Sequence, residues 1–143
     1  MIVFDTTVLV YAVGAEHPLR DPCRDAVALV RDGDLRATTT VEVIQEFAHV
    51  RSKRRTRQDA AALARAYAAG LGPLLVVEED DLYDGLSRFR RSKSLGAFDA
   101  VLAAAAVRKG WGLASTDRAF RHVRDLVHFD PASPTFLEDL LKA

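Results

Sequence analysis

Met1–Val13 reads MIVFDTTVLVYAV, and its reading decides the fold. Ile2-Val3-Phe4 is a short apolar run of the kind that makes a strand buried on both faces. Asp5-Thr6-Thr7 interrupts it, and Val8 to Val13 continues as an apolar helix that Asp5 or Thr6 can cap. A strand feeding directly into a helix is the first half of a βα unit. No basic residue lies within four positions of Asp5 on either side. A carboxylate in such company needs a hydrogen-bonded or cationic partner, because burying it unpaired costs several kcal/mol, roughly. At this point Asp5 can be a helix cap, a nucleophile or a metal ligand.

The same alternation runs outward along the chain. Pro18–Asp32 predicts a helix closed by Gly33, Leu35–Thr38 a strand, and Val41–Ser52 a helix with Val41, Ile44, Phe47, Ala48 and the Arg51 stem on its core side. The basic run Arg51–Arg57 is expected to link it to an alanine-rich helix over Gln58–Ala69, stopped by Gly70, Gly72 and Pro73. Leu74–Val77 is a further strand candidate. Glu79–Lys93 predicts a charged helix with Leu82, Leu86 and Phe89 inside, and Ala97–Lys109 an apolar helix closed by Gly110. Leu113–Ser115, Asp117–Val123, Leu126–Phe129 and Pro134–Leu141 complete the series as strand, short helix, strand and helix. Strands alternating with helices predict a mainly parallel sheet covered on both faces, a three-layer α/β/α sandwich in one domain spanning residues 1–143. Ligands in such sheets bind beyond the carboxyl ends of the strands, where strand order reverses.

The bulk composition narrows the function classes. Of 143 residues, 49% are hydrophobic and 28% charged, which fits a folded domain rather than a disordered chain. Twenty basic residues balance twenty acidic ones, so the whole surface is not built to coat nucleic acid, although a local basic patch is open. Cys23 is the only cysteine, which excludes an internal disulfide and a cysteine-based zinc site. No basic region precedes the apolar start, and no apolar run is long enough to span a bilayer, so the expectation is a cytoplasmic protein with no membrane partner. The histidines, His17, His49, His122 and His128, lack metal-ligand spacing, and no phosphate-binding or dinucleotide-binding glycine motif is present.

Two further aspartates repeat the setting of Asp5. Asp99 lies in LGAFDAVLAAAAV (95–107), and Asp117 follows GLA (112–114) within STDR. Each can also cap a helix. If they converge at one sheet edge, they raise one another's pKa unless a cation joins them. Oxygen-only ligands favour Mg2+ or Mn2+ over zinc. Glu42 and Glu46 share a face of the Val41–Ser52 helix with His49 and Lys53, and periodicity leaves open whether that face meets water or an acidic pocket. Arg51, Lys53, Arg54, Arg55 and Arg57 form one basic cluster and Arg88, Arg90, Arg91 and Lys93 a second. Beside a carboxylate site such clusters suit contacts to a phosphate backbone.

Taken together, IVFDTTVLVYA, TTTVEVIQEFAHV, FDAVLAAAA and LASTDRAF, in this order and spacing, resemble the PIN-domain nucleases and in particular the VapC-type ribonuclease toxins of bacterial toxin–antitoxin modules. The resemblance spans about the first 120 residues. It implies a flavodoxin-like α/β/α sandwich and a four-carboxylate site on Asp5, Glu46, Asp99 and Asp117. Glu46 rather than Glu42 is selected because it precedes the bulky Phe47. Thr6 and Ser115 fall on hydroxyl positions that support the site. The implied activity is Mg2+-dependent hydrolysis of RNA, with Mn2+ as a substitute. Homodimerisation is implied too, as is inhibition by a cognate antitoxin whose C-terminal segment lies in the groove beside the acidic pocket. One position departs from the pattern. Ala119 stands where many relatives carry a further acidic residue, which puts a second metal site in doubt. The rival readings are an aspartyl phosphatase of the haloacid-dehalogenase type, opposed by Thr7 where a second aspartate belongs, and a non-catalytic module that retains the fold.

Overall fold

A computed structural model describes residues 1–143. In chain order the elements are β1 (Ile2–Phe4), α1 (Thr6–Ala12), α2 (Arg20–Asp32), β2 (Ala37–Thr38), α3 (Val41–Arg54), α4 (Arg57–Gly70), α5 (Glu79–Arg91), α6 (Ala97–Lys109), β3 (Gly112–Ala114), a 3-10 turn (Arg118–His122), β4 (His128–Phe129) and α7 (Phe136–Lys142). The strands form one parallel sheet in the order β2-β1-β3-β4, with the helices flanking it in a three-layer α/β/α arrangement. The chain leaves β1 toward β2 on one side and returns to β3 on the other. The reversal of strand order therefore falls between β1 and β3. Ile2 pairs with Gly112, Val3 with Leu113 and Phe4 with Ala114, so the residues that follow, Asp5 and Ser115, come out abreast at that point.

β1 is buried along its whole length, as a strand covered on both faces must be. Its side chains join a core cluster with Val8, Leu9, Phe47, Leu102, Leu113 and Phe120. Helix α1 packs on α2 and α3, α3 on α4, and α6 on α5 and on β3. Helices α2 and α6 end where expected, at Gly33 and Gly110, both in the left-handed conformation in which the glycine amide donates to the last carbonyls.

Four local expectations are corrected. Leu74–Val77 is not a strand; it meets the sheet through a single bridge, Thr40 to Leu75. The ladder stops there because the Val76 carbonyl is taken by Arg108 Nη2 at 3.0 Å. The basic run is not a linker: Arg51, Lys53 and Arg54 form the last turn of α3, where positive charge suits the helix dipole, and α4 restarts at Arg57 behind the cap Thr56. On α3, Val41 is exposed while Val43 and Phe47 are buried.

The largest correction concerns α5. Leu82, Leu86 and Phe89 are all exposed by more than two fifths. The buried face carries Asp81 and Gly85 instead. A Cβ at Gly85 would lie 2.7 Å from Val101 Cα, so the glycine lets α5 and α6 approach backbone to backbone. Asp81, at the start of the same face, accepts from Arg108 Nε at 2.7 Å and Nη2 at 2.9 Å and from the Glu78 amide at 2.8 Å. Burial alone would raise the Asp81 carboxyl, but these donors hold it below its ordinary range. The apolar stripe of α5 is thereby turned away from the core and toward a groove.

Candidate active site

Asp5 caps α1 and is itself almost fully buried. Three donors converge on its Oδ2: the Thr7 amide at 3.4 Å, Thr7 Oγ1 at 2.8 Å and Ser115 Oγ at 2.7 Å. The Thr7 and Ser115 donors all bind Oδ2, and Oδ1 receives no side-chain hydrogen bond. Capping and ligation are thus not alternatives for this residue, since one oxygen serves the fold and the other is free. Burial raises the Asp5 carboxyl, against the lowering effect of Ser115 and Thr7.

Glu46 comes from the second turn of α3 and reaches Thr6, whose Oγ1 donates to Oε2 at 2.5 Å. Asp99 differs from the other aspartates. The cap of α6 is Gly96, so the capping role expected for Asp99 does not apply. Its carboxyl is half-buried and accepts no hydrogen bond from the protein. Burial first, and then the charges of Asp5, Asp117 and Glu46, push it up to about 7. Asp117 caps the 3-10 turn through the Ala119 amide, at 2.8 Å to Oδ1. It stands outside the groove that Asp5, Glu46 and Asp99 line, yet close enough for its charge to act on Asp99. Ala119, in the place of a further acid, contributes only that amide.

Two residues were passed over in the sequence. Thr7 served only to argue against a phosphatase, but its hydroxyl joins the two strand ends: Oγ1 donates to Asp5, lies 3.3 Å from Ser115 Oγ and accepts the Thr116 amide at 3.1 Å. Its place two residues after an aspartate that opens a helix was the available signal. His128 Nε2 lies 2.9 Å from the Ser115 carbonyl, so Nε2 carries the proton and Nδ1 is buried without a partner. Only the pairing of β3 with β4, which the sequence does not show, brings it there. The other three histidines are exposed.

Asp5, Glu46 and Asp99 open onto a groove of about 490 Å³ between α3 and the α5–α6 pair. Its wall is apolar, from Val43, Val77, Leu82, Leu86, Phe98 and Val101, and its rim carries Glu42, Glu78 and Glu79. Glu42 therefore sits on the rim rather than with the hydroxyl-bound Glu46.

The basic cluster lies farther along α3. From Glu46 to Arg54 is eight residues, or about 12 Å of helix. Arg51 is tied down by Asp59, at 2.6 Å, and by the Val13 carbonyl, at 3.0 Å. Lys53, Arg54, Arg55 and Arg57 are exposed and in no ion pair. Arg54 and Arg55 line a second hollow of about 300 Å³ with Val10, Val13 and Gly14, at the C-terminal end of α1. In the other cluster Arg88 is held by Asp84 and the Arg124 carbonyl, while Arg90, Arg91 and Lys93 are exposed.

Comparison with known proteins adds an independent line. The PIN domain family matches residues 2–126. Ribonuclease VapC7 of Mycobacterium tuberculosis is 53% identical over 133 residues, covering 92% of each chain. Ribonuclease VapC23 of the same species is 35% identical over 113 residues, 77% of this chain and 86% of that one. Among solved structures, VapBC2 from Rickettsia felis bound to a DNA fragment from their promoter superposes with a TM-score of 0.71 at 15% identity, covering 91% of this chain and 98% of that one. That likeness supports the fold.

Proposed function

The chain belongs to the PIN-domain family, on its VapC branch, and from that premise we propose that it is a Mg2+-dependent endoribonuclease, the toxin of a toxin–antitoxin module. The observation that carries the reading is Asp99. A half-buried carboxyl with no internal hydrogen bond, pushed up to about 7 by burial and by its acidic neighbours, is a group that a bound cation would satisfy. The donor set fits such an ion. It consists of carboxylate oxygens with hydroxyl support, the hard ligands that suit Mg2+ or Mn2+. No three of the acids close into a ready cage. Mg2+ is satisfied by that, since it keeps several waters and takes one or two carboxylates together with phosphate oxygens.

Asp5, through Oδ1, and Asp99 would hold the ion, with Glu46 and Asp117 reaching it directly or through water. A divalent cation so held lowers the pKa of water for attack at phosphorus and neutralises charge on the phosphoryl oxygens. The protein supplies the positioning. Ser115 and Thr7 fix Asp5, Thr6 fixes Glu46, and α6 fixes Asp99 in its first turn. Lys53, Arg54, Arg55 and Arg57 would hold the RNA backbone; Arg51, already paired with Asp59, would support that end of α3 instead.

The groove suits the antitoxin. Its apolar wall and acidic rim call for a segment with apolar side chains and a basic group directed at the carboxylates, which would block substrate by occupation. A homodimer in the cytoplasm is the expected form of the protein. No helix is long and apolar enough to cross a membrane. The phosphatase reading has no support at its deciding position, where the Thr7 hydroxyl occupies the face of Asp5 that a second acid would need.

The test is cleavage of total RNA by the purified protein with Mg2+, with EDTA in excess, and by Asp5→Asn and Asp99→Asn. Cleavage only by the unsubstituted protein with Mg2+ is the expected result. Undiminished cleavage by both variants would remove the carboxylates from the mechanism.

A further inference from the structure

Phe98 is the most exposed large apolar residue in the protein, at 77%. Single exposed apolar residues are common and by themselves mean nothing. The position of this one is what matters. It precedes Asp99 in the first turn of α6, and both side chains line the same groove. It belongs neither to the core cluster nor to any aromatic pair. The fold gains nothing from the ring, while its backbone is held by the helix that holds the carboxylate.

The charge around it restricts what can lie there during a reaction. Glu42, Glu78 and Glu79 on the rim repel a phosphate backbone that no cation screens. A strand whose scissile phosphate sits at Asp5 and Asp99 must therefore turn something neutral toward the wall beside them. An unpaired nucleobase is neutral, flat and apolar-faced, and aromatic side chains are the usual platforms for one. We propose that Phe98 stacks on an unpaired base of the RNA flanking the scissile phosphate, which makes the preferred substrate single-stranded at that nucleotide. The inference rests on the ribonuclease reading above and deepens it.

The experiment uses the full chain carrying Asp5→Asn, so that RNA is not consumed, and a single-stranded mixed-sequence RNA oligonucleotide as probe. Phe98→Leu and Phe98→Ala are expected to weaken binding about tenfold to a hundredfold, the loss of one stacked base. The salt dependence of binding should not change, because no phosphate contact is removed. The thermal midpoint should not change either, since the ring is outside the core. Phe98→Trp should bind at least as well as the parent, and its added indole emission should be quenched on addition of RNA. In the catalytically intact background, the same Phe98→Leu change should slow cleavage of total RNA by a similar factor.

Leucine retains the apolar surface and lacks the π face, so binding by Phe98→Leu equal to the parent overturns the stacking. Retained RNA binding together with weakened binding of the cognate antitoxin also overturns it and gives the ring to the protein partner. Absence of both RNA binding and RNA cleavage in the unsubstituted protein is a different result. It removes the ribonuclease reading, and the inference falls with it.

Discussion

Asp5 divides its two oxygens between the fold and the groove. Oδ2 receives Thr7 and Ser115, and Oδ1 is left for a ligand. The orientation of Oδ1 depends on those hydroxyls. Thr7→Val keeps the volume and removes the donor, so we expect metal affinity to fall about tenfold to a hundredfold, the usual cost of losing a group that orients a ligand. Thr7→Ser should restore it. Titration of Mn2+ by calorimetry reads both, and equal affinity in Thr7→Val would show that Ser115 suffices.

Asp99 makes the pH dependence. Burial and the neighbouring acids push its carboxyl up to about 7 in the folded protein, against an ordinary value of 3.8. The folded state therefore binds more protons than the unfolded state between those values, and stability in EDTA should fall as pH rises from about 4 to about 7. The sign is opposite to that of a salt-bridged aspartate. Asp99→Asn should make the fall shallower in thermal melts, leaving the part that Asp5, also raised by burial, contributes. Metal affinity should run the other way and decline below pH 7, because the carboxyl must lose its proton to ligate.

Among the elements, α5 and α6 form the wall of the groove, and Gly85 sets their separation. Gly85→Ala places a Cβ 2.7 Å from Val101 Cα, so α5 must move outward. The expected cost is about 1–3 kcal/mol in urea unfolding, as for other overpacked sites. A change below a few tenths of that would mean the pair slides freely. Periodicity made this helix legible but not its orientation. Leu82, Leu86 and Phe89 share a face, and nothing in their spacing says whether that face meets the core or a partner. The decisive residues were small or charged: Gly85, and Asp81 with its distant partner Arg108. Leu74–Val77 misled for a related reason, because composition reports an extended apolar segment but not where its carbonyls go. The strand-to-helix step at Asp5 was legible, since a carboxylate between an apolar strand and an apolar helix has few other meanings. The convergence of Asp99 was open in the sequence as that of a helix-start aspartate near one sheet edge, whereas Glu46 was chosen over Glu42 only through the family resemblance, as the direction of its helix turn depends on packing. Thr7 offered a local signal, two residues after a helix-opening aspartate, but its contact with Ser115 and that of His128 join strand ends, which a linear reading does not contain.

At the scale of the whole molecule, the acidic groove is a strained assembly of like charges, and a bound cation should relieve that strain. Mg2+ at a hundredfold its dissociation constant stabilises a folded protein by about 2.7 kcal/mol if the unfolded chain does not bind it. Thermal melts should therefore shift upward with added Mg2+, and the shift should vanish in Asp99→Asn. A shift of equal size in both proteins would place the ion elsewhere.

The register of β1 against β3 has a consequence for when the protein can act. Asp5 is made before its fixing partner Ser115, which lies 110 positions later. Until β3 has been synthesised, β1 lacks one of its two neighbours and Asp5 its Ser115 hydrogen bond. At about 5–20 residues per second, that interval is on the order of five to twenty seconds of translation. Throughout it a nascent chain holds the carboxylates as a disconnected set. A premature stop before Ser115 would release a polypeptide with Asp5, Glu46 and Asp99 all present and no site to put them in. The order in which the strands are laid down thus keeps Asp5 apart from its Ser115 partner until β3 has been made.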